Sequence, residues 1–445
     1  MATVGTVAER VLLVSIDGLA PRAITRSTMP NLCALARAGA GCFTARTIEP
    51  PITVPAHASM LRSVPADVHG LVDNARVPAA AGTRSVFAVA ADAGRRTASA
   101  VCWPPLDDLI EPDASHVRIS TDGGYDPTDD DRAVEDAVEL VAGRGAADAG
   151  PLPDLVFTYL VACDLAGHAH GWDSPEYAAA VARTDELVGV LVAAIADDVA
   201  IVVTTDHGGS GRHHAATVPD TMTTFVVARS SRIAPSSIWP HASILDIAPT
   251  VADLLAVRPG PSWVGTSLLG EEEPIVDHLL GLLAAMAAHS YGERVDMLAH
   301  ALQAAACATR AGADEPLVLA ALLHDVGHVL GDAGEWGAPD HAEVGARWLQ
   351  PWFDAAVVEP VRLHVAAKRY LVATDPPYRS VLSEASIATL AQQGGPHSAE
   401  EAGRFAASAH AADAVALRRW DDAGKSVGLD VRPLDGYREA LVTAL

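Results

Sequence analysis

The sequence predicts a two-part fold: an α/β doubly wound, mostly parallel sheet over residues 1–270, followed by an all-helical domain over 275–445. Three observations predict it. Up to about residue 255, short β-branched apolar runs alternate with Ala/Leu-rich helical stretches, as in a parallel sheet covered by helices on both faces. After GEEEP, residues 270–274, strand-like runs disappear and amphipathic helical patterns continue to the end. The 445 residues exceed what one hydrophobic core usually organises, and the 50% apolar content is ample for two.

Taken in order, VLLVSI (11–16) reads as a buried strand ending in Asp17, and MPNLCALARAGA (29–40) as a helix. SVFAVAA (85–91), DLVFTYLVA (154–162), VAIVVTT (199–205) and TTFVVA (223–228) read as further strands, with SPEYAAAVARTDELVGVLVAAI (174–195) as a long helix among them. In the second part, VDMLAHALQAAACATRAGA (295–313) and AEVGARWLQPWF (342–353) carry helical periodicity.

Charge and composition narrow the function classes. A formal net charge of −25 argues against nucleic-acid and anionic-membrane partners, which need clustered positive charge. Small-molecule substrates fit better. Lysine is nearly absent, the first being Lys368. The five cysteines are scattered and form no CxxC pair, which disfavours a disulfide framework or thiolate zinc site. VLLVSI lacks the length and cleavage site of a signal peptide, and no stretch approaches a membrane span, so a cytoplasmic location is expected.

Four segments at strand ends of the first part bear chemistry: VSIDG with Asp17, PPITVPAH with Thr53, VACDLAGHAHG with Asp164 and His168, and VTTDHGGSGRHH with Asp206, His207, His213 and His214. Singly, an Asp at a strand end is often a helix cap. Together they supply the carboxylate and imidazole mixture that divalent zinc accepts. These segments, with MPNLCALARAGA, VHGLVDN and DLAGHAHGWDSPEY, resemble the alkaline phosphatase superfamily in its type I phosphodiesterase and nucleotide pyrophosphatase branch, over about residues 10–270. The resemblance implies two Zn²⁺ ions: one held by Asp17, Asp206 and His207 with the Thr53 oxygen, the other by Asp164, His168 and His214, with His213 as the rival. It implies Thr53 as the nucleophile of a two-metal ester hydrolysis, and Asn74 as a donor to a phosphoryl oxygen. The absence of a CxPSR segment around Thr53 disfavours a sulfatase. The absence of lysine before residue 368 removes the carboxylate-holding lysines of the related phosphonoacetate hydrolases, so a phosphate or phosphonate ester is expected.

The second part carries LLHDVGHVL (322–330), preceded by His300 and followed by His341, His364 and Asp413. On a continuous helix His324 and His328 would share a face, with Asp325 about a third of a turn away. His, His-Asp, His, His and a distant Asp follow the ligand order of an HD domain. From YGERVDMLAHALQ through ALLHDVGH, HAEVGARWL, LHVAAKRYL, LSEAS, QQGGP and DAVALRRWDD, residues 288–425 resemble the HD-domain di-iron oxygenases of phosphonate degradation, such as the 2-amino-1-hydroxyethylphosphonate dioxygenases. The resemblance implies a mixed-valence di-iron pair: His300, His324, Asp325 and Asp413 on one iron, and Asp325, His341 and His364 on the other, with Asp325 as the bridge. O2 would be the co-substrate, and cleavage of the C–P bond of a 1-hydroxyphosphonate would yield phosphate and a carboxylic acid. Lys368 and His328 match residues that contact the phosphonate, and Tyr291 and Glu293 match a substrate-gating pair, although only one residue separates them here. His410, three before Asp413, stands where the family has an arginine.

The leading expectation is a bifunctional phosphonate-catabolic enzyme. The alternatives are a hydrolytic HD phosphohydrolase fused to a phosphodiesterase, a phosphonoacetate hydrolase-like activity in the first part, and one half acting as a non-catalytic binding module.

Overall fold

The computed structural model describes residues 8–76, 82–112, 114, 117–120, 126, 128–143, 151–290, 295–330 and 341–445. They divide into two compact units, Met1–Pro274 and Ile275–Leu445.

The first unit is built on a nine-stranded sheet. Its centre is β1 (Arg10–Ile16), flanked in parallel by β5 (Leu155–Leu160) and β6 (Val199–Thr204). Beyond β5 lie β3 (Thr97–Val101) and β4 (Val117–Ser120), both parallel. Beyond β6 lie β7 (Thr223–Arg229), β2 (Ala40–Arg46), β8 (Ser237–Ile238) and β9 (Glu273–Pro274), so the order is β4-β3-β5-β1-β6-β7-β2-β8-β9. β7 runs antiparallel to both β6 and β2. Every residue of β5 and β6 is buried, which is why these strands read as continuous apolar runs rather than as alternating ones. An α/β sheet of this kind presents its functional residues at the carboxyl ends of the strands, and Asp17, Asp164 and Asp206 follow β1, β5 and β6 there.

One predicted strand is a helix. SVFAVAA forms the helix Val86–Asp92, because the Ser85 side chain accepts from Ala88 N at 3.2 Å and caps its first turn. Such a cap contributes about 1 kcal/mol, and burial of Val86, Phe87, Ala88 and Ala90 on the helix adds tertiary packing that overrides the weak β preference of two valines and a phenylalanine. AGCFTAR and TASAV, which form β2 and β3, carry too few β-branched residues to stand out as strands.

In the second unit the described residues after β9 contain helices and no strand. Helix Met297–Arg310 starts at Asp296, whose carboxylate accepts from Ala299 N at 2.8 Å. Helices Glu315–Leu323 and Ala411–Ala423 pack against it, Ala355–Thr374 packs against both of these, and His341–Leu349 packs against Ala355–Thr374. Among the described residues no helix is long and apolar enough to cross a membrane.

Candidate metal centres

In the first unit, Asp17 Oδ1 and Asp206 Oδ2 each lie 3.3 Å from His207 Nε2. Thr53, the first residue of the helix Thr53–Arg62, holds its hydroxyl 3.5 Å from the same nitrogen. Asp164 Oδ1 lies 3.5 Å from His168 Nε2 and 3.9 Å from His214 Nε2. Asp164 also groups with Asp17 and His207, so it stands between the two halves of the site. His214 is buried and His213 exposed; the structure brings His214 into the group. Asn74 is exposed beside Thr53, and its Oδ1 accepts from Val54 N at 3.0 Å, which turns its NH2 into the group that donates.

The donor set fits bound cations. The ring Nδ1 of each of His168, His207 and His214 donates to a main-chain carbonyl, those of Arg212 (3.0 Å), Gly208 (2.9 Å) and Pro51 (2.7 Å), which leaves each Nε2 as a lone pair facing the carboxylates. Asp17 Oδ1, Asp164 Oδ1 and Asp206 Oδ2 are buried without a hydrogen-bond partner. Buried carboxylate oxygens of this kind are costly unless a positive charge faces them. Burial and then the Asp206 and Asp164 charges hold Asp17 well above the usual carboxyl range; burial and then Asp206 push Asp164 up to about 8. Burial pushes His207 down, and His214 down to about 4, so both imidazoles are neutral at neutral pH.

Two residues that sequence reasoning passed over complete this half. His57, fully buried four residues after Thr53, donates from Nδ1 to Thr53 O at 2.8 Å and accepts from the Ser15 hydroxyl at 2.8 Å. Tyr159, at the end of β5, donates to Asp17 Oδ2.

In the second unit, HDVGH does not lie on one continuous helix. Helix Glu315–Leu323 stops before His324, Asp325 adopts φ −101° and ψ 6°, and a 3₁₀ helix follows over Val326–Val329. Gly327 lets the helix His341–Leu349 pack closely on this turn, since a Cβ there would come 1.9 Å from His341 O. The break aims Asp325 two ways: Oδ2 lies 3.3 Å from His324 Nε2 and 3.8 Å from His300 Nε2, while Oδ1 lies 3.4 Å from His341 Nε2 and 3.9 Å from His364 Nε2. His341 and His364 bring their Nε2 atoms to 3.0 Å. The same tautomer recurs, because Nδ1 of His300, His324 and His364 donates to Gly424 O, Ala321 O and Val361 O at 2.9, 2.9 and 2.7 Å. Nε2 of His324 is buried with no hydrogen-bond partner, again an atom suited to a cation. Burial pushes His324 down, but Asp325 and Asp421 outweigh it and raise the imidazole to about 9; burial drives His364 well below its usual value.

The structure brings Asp421, not Asp413, to this cluster. Asp421 Oδ1 lies 3.2 Å from His300 Nε2 and Oδ2 lies 4.0 Å from His324 Nε2. Asp413 is partly exposed and faces His410 at 3.6 Å. The reason is helical phase: Ala411, Ala414, Leu417, Arg418 and Asp421 are the buried stripe of helix Ala411–Ala423, and Asp413 lies off it. Arg418, three residues before Asp421, donates from Nη1 to Asp421 Oδ2 at 2.6 Å, so an arginine stands to Asp421 as His410 stands to Asp413. The inward periodicity of DAVALRRWDD was the signal that could have identified Asp421.

His328 stacks on His341 with ring centroids 4.0 Å apart. Lys368 is buried one turn after His364 and donates to Thr389 Oγ1 at 3.0 Å; burial, and then Arg418, lowers its ammonium to about 8. Tyr291 and Glu293 lie outside the described residues.

Comparison with known proteins bears on both units. Residues 11–225 match the type I phosphodiesterase / nucleotide pyrophosphatase family, and residues 297–391 match the HD domain family. A [1-hydroxy-2-(trimethylamino)ethyl]phosphonate dioxygenase (glycine-betaine-forming) of Leisingera caerulea is 40% identical over 162 residues, covering 35% of this chain and 83% of that protein. A hydroxymethylphosphonate dioxygenase of Gimesia maris is 42% identical over 164 residues, covering 35% and 80%. Among solved structures, murine ectonucleotide pyrophosphatase / phosphodiesterase 5 is 13% identical with a TM-score of 0.49, covering 59% of this chain and 99% of that one.

Proposed function

Because the chain belongs, through its HD domain, to the family of the phosphonate dioxygenases, we propose that its second unit oxidatively cleaves the C–P bond of a 1-hydroxyphosphonate and that its first unit hydrolyses a phosphonate or phosphate ester. The observation that carries the reading is the Asp325 carboxylate, with one oxygen turned to His300 and His324 and the other to His341 and His364. A histidine gives one nitrogen to one metal; a carboxylate has two oxygens to share between two. The proposed iron ligands are His300, His324, Asp325 and Asp421 for one ion, and Asp325, His341 and His364 for the other. The chemistry a redox-active pair supplies when bound is the activation of O2 toward the C1–H and C–P bonds. The protein's own part is to grip the substrate: Lys368, as its ammonium, neutralises phosphonate oxygens, and His328 donates to them. Arg418 fixes the Asp421 carboxylate in register with His300.

In the first unit, Asp17, Asp206 and His207 with the Thr53 oxygen would hold one zinc ion, and Asp164, His168 and His214 the other. When bound, such a pair lowers the pKa of a hydroxyl and neutralises a leaving oxygen. Thr53 Oγ1 attacks phosphorus, the ester oxygen leaves opposite to it, and water then releases the phosphoryl group from Thr53. Asn74 donates its NH2 to a non-bridging oxygen. His57 holds the Thr53 main chain so that the hydroxyl stays on the His207 side.

The two reactions fit in sequence, since hydrolysis of a hydroxyphosphonate monoester yields the substrate of the oxygenase. The test is phosphorus NMR on the metal-loaded full chain given such an ester. Under nitrogen the free hydroxyphosphonate is expected to accumulate; on admitting O2 it is expected to convert to phosphate. No hydrolysis under nitrogen, or phosphate formed there, would overturn the proposal.

A further inference from the structure

Trp172 follows the helix Ala162–His170 and is buried, yet no step above uses it. Its surroundings are unusual for a core residue. The indole Nε1 donates to Gly18 O at 2.8 Å, the carbonyl directly after Asp17. Its main-chain N donates to Gly211 O at 2.8 Å, in the loop between His207 and His214. The ring occupies space left by two glycines: a Cβ on Gly167 would come 2.6 Å from it, and one on Gly209 2.0 Å. Gly167 precedes His168, and Gly209 follows His207 by two residues. The ring also meets the His168 imidazole edge-on, with centroids 5.3 Å apart.

One rigid side chain therefore touches the segments carrying Asp17, His168 and the Asp206–His207 pair, which come from three different strand ends. Other groups tie the same points together. Tyr177 OH donates to Gly18 O at 3.0 Å, and Arg22 Nη1 donates to Gly209 O at 2.9 Å. Gly18, at φ +63°, approaches Asp164 so closely that a Cβ would lie 3.0 Å from it. An indole resists compression and offers a single directed N–H, so it sets a spacing in a way an aliphatic side chain does not.

We infer that Trp172 is a positioning residue that fixes the separation of the two halves of the first unit's site, Asp17–Asp206–His207 and Asp164–His168–His214, and thereby sets their affinity for divalent cations. The inference rests on the reading that these groups hold two such cations. Supporting partners of metal ligands typically change affinity by about 10–100-fold; Trp172 acts on ligands of both halves at once.

The test is zinc bound per full-length chain across a series of buffered free-zinc concentrations. An Asp164→Asn variant marks which binding step belongs to this site. In Trp172→Leu that step is expected to move to at least about tenfold higher free zinc, with the remaining steps unmoved as an internal control of folding. Trp172→Phe, which keeps most of the ring but not the N–H, is expected between Leu and wild type. Excess zinc is expected to restore Thr53-dependent hydrolysis in both. Should the Leu variant not fold, Gly209→Ala presses on the same ring and is expected to give the same shift. A step within twofold of wild type in the Leu or Gly209→Ala variant overturns the inference while leaving the two-cation reading intact. Absence from wild type of any step sensitive to Asp164→Asn overturns that reading and the inference together.

Discussion

Exchanging Asp421 for Asn tests the proposed metal centre of the second unit at the least obvious of its proposed ligands. The substitution keeps the shape and removes the charge. Asp421 is buried, with Arg418 Nη1 at 2.6 Å and His300 Nε2 at 3.2 Å. Removing one partner of a buried ion pair costs about 3–5 kcal/mol when the other is left alone. Arg418 here keeps Asp422 and the Tyr378 hydroxyl, which lowers the expected loss to about 1–3 kcal/mol, the range for a buried group short of one partner. In a domain of this size that is a fall in melting temperature of roughly 2–4 °C per kcal/mol. The effect on iron is larger, since losing a supporting group already costs about 10–100-fold in affinity and losing a ligand more. Iron per chain after dialysis, read beside thermal unfolding, is the assay. Asp421→Asn is expected to lose iron, while Asp413→Asn keeps it and stays within about 0.5 kcal/mol of wild type. Iron retained in the first variant, or lost in the second, would refute the assignment.

Three further outcomes follow from the same geometry. Asp325→Ala removes the carboxylate shared by both halves, so iron content and O2-dependent activity are expected to vanish while ester hydrolysis by the first unit persists; iron analysis and oxygen uptake check this. Thr53→Val keeps the branched shape without the hydroxyl and is expected to lower phosphodiester hydrolysis at least about 1,000-fold, with O2-dependent phosphate release unchanged in a parallel assay. Burial lowers the Lys368 ammonium to about 8, so the charged form is present below that pH and lost above it; KM for a hydroxyphosphonate is expected to rise as pH passes 8, and Lys368→Met to flatten that limb of the pH profile.

Much of the fold and of the donor inventory was legible in the sequence, because the buried parallel strands β1, β5 and β6 are predominantly apolar runs with an aspartate shortly after each end. What was not legible depended on phase and on capping. Asp413 and Asp421 are both acidic residues on one helix, and only the inward stripe of Ala414, Leu417 and Arg418 tells them apart. The break at Asp325 could not be read from HDVGH, because a Gly three residues after a His is compatible with helix; it is the His341 carbonyl packed on Gly327 that forbids it a side chain. His57 and Trp172 act through main-chain carbonyls, Thr53 O and Gly18 O, and contacts with carbonyls leave no trace in the pattern of side chains. SVFAVAA misled because its apolar run is too short to tell a buried strand from a buried, serine-capped helix.

The central claim is that the HD unit performs an O2-dependent cleavage. Its most direct measurement is phosphate release from 2-amino-1-hydroxyethylphosphonate, and from its hydroxymethyl and trimethylammonium counterparts, by the iron-loaded full chain with and without O2. Conversion of a hydroxyphosphonate and O2 into a carboxylic acid and phosphate balances at one O2 per phosphate. The account predicts phosphate from at least one of these compounds only when O2 is present, in that ratio, and its loss in Asp325→Ala. Phosphate released under nitrogen, or none released from any of them with O2, would contradict it.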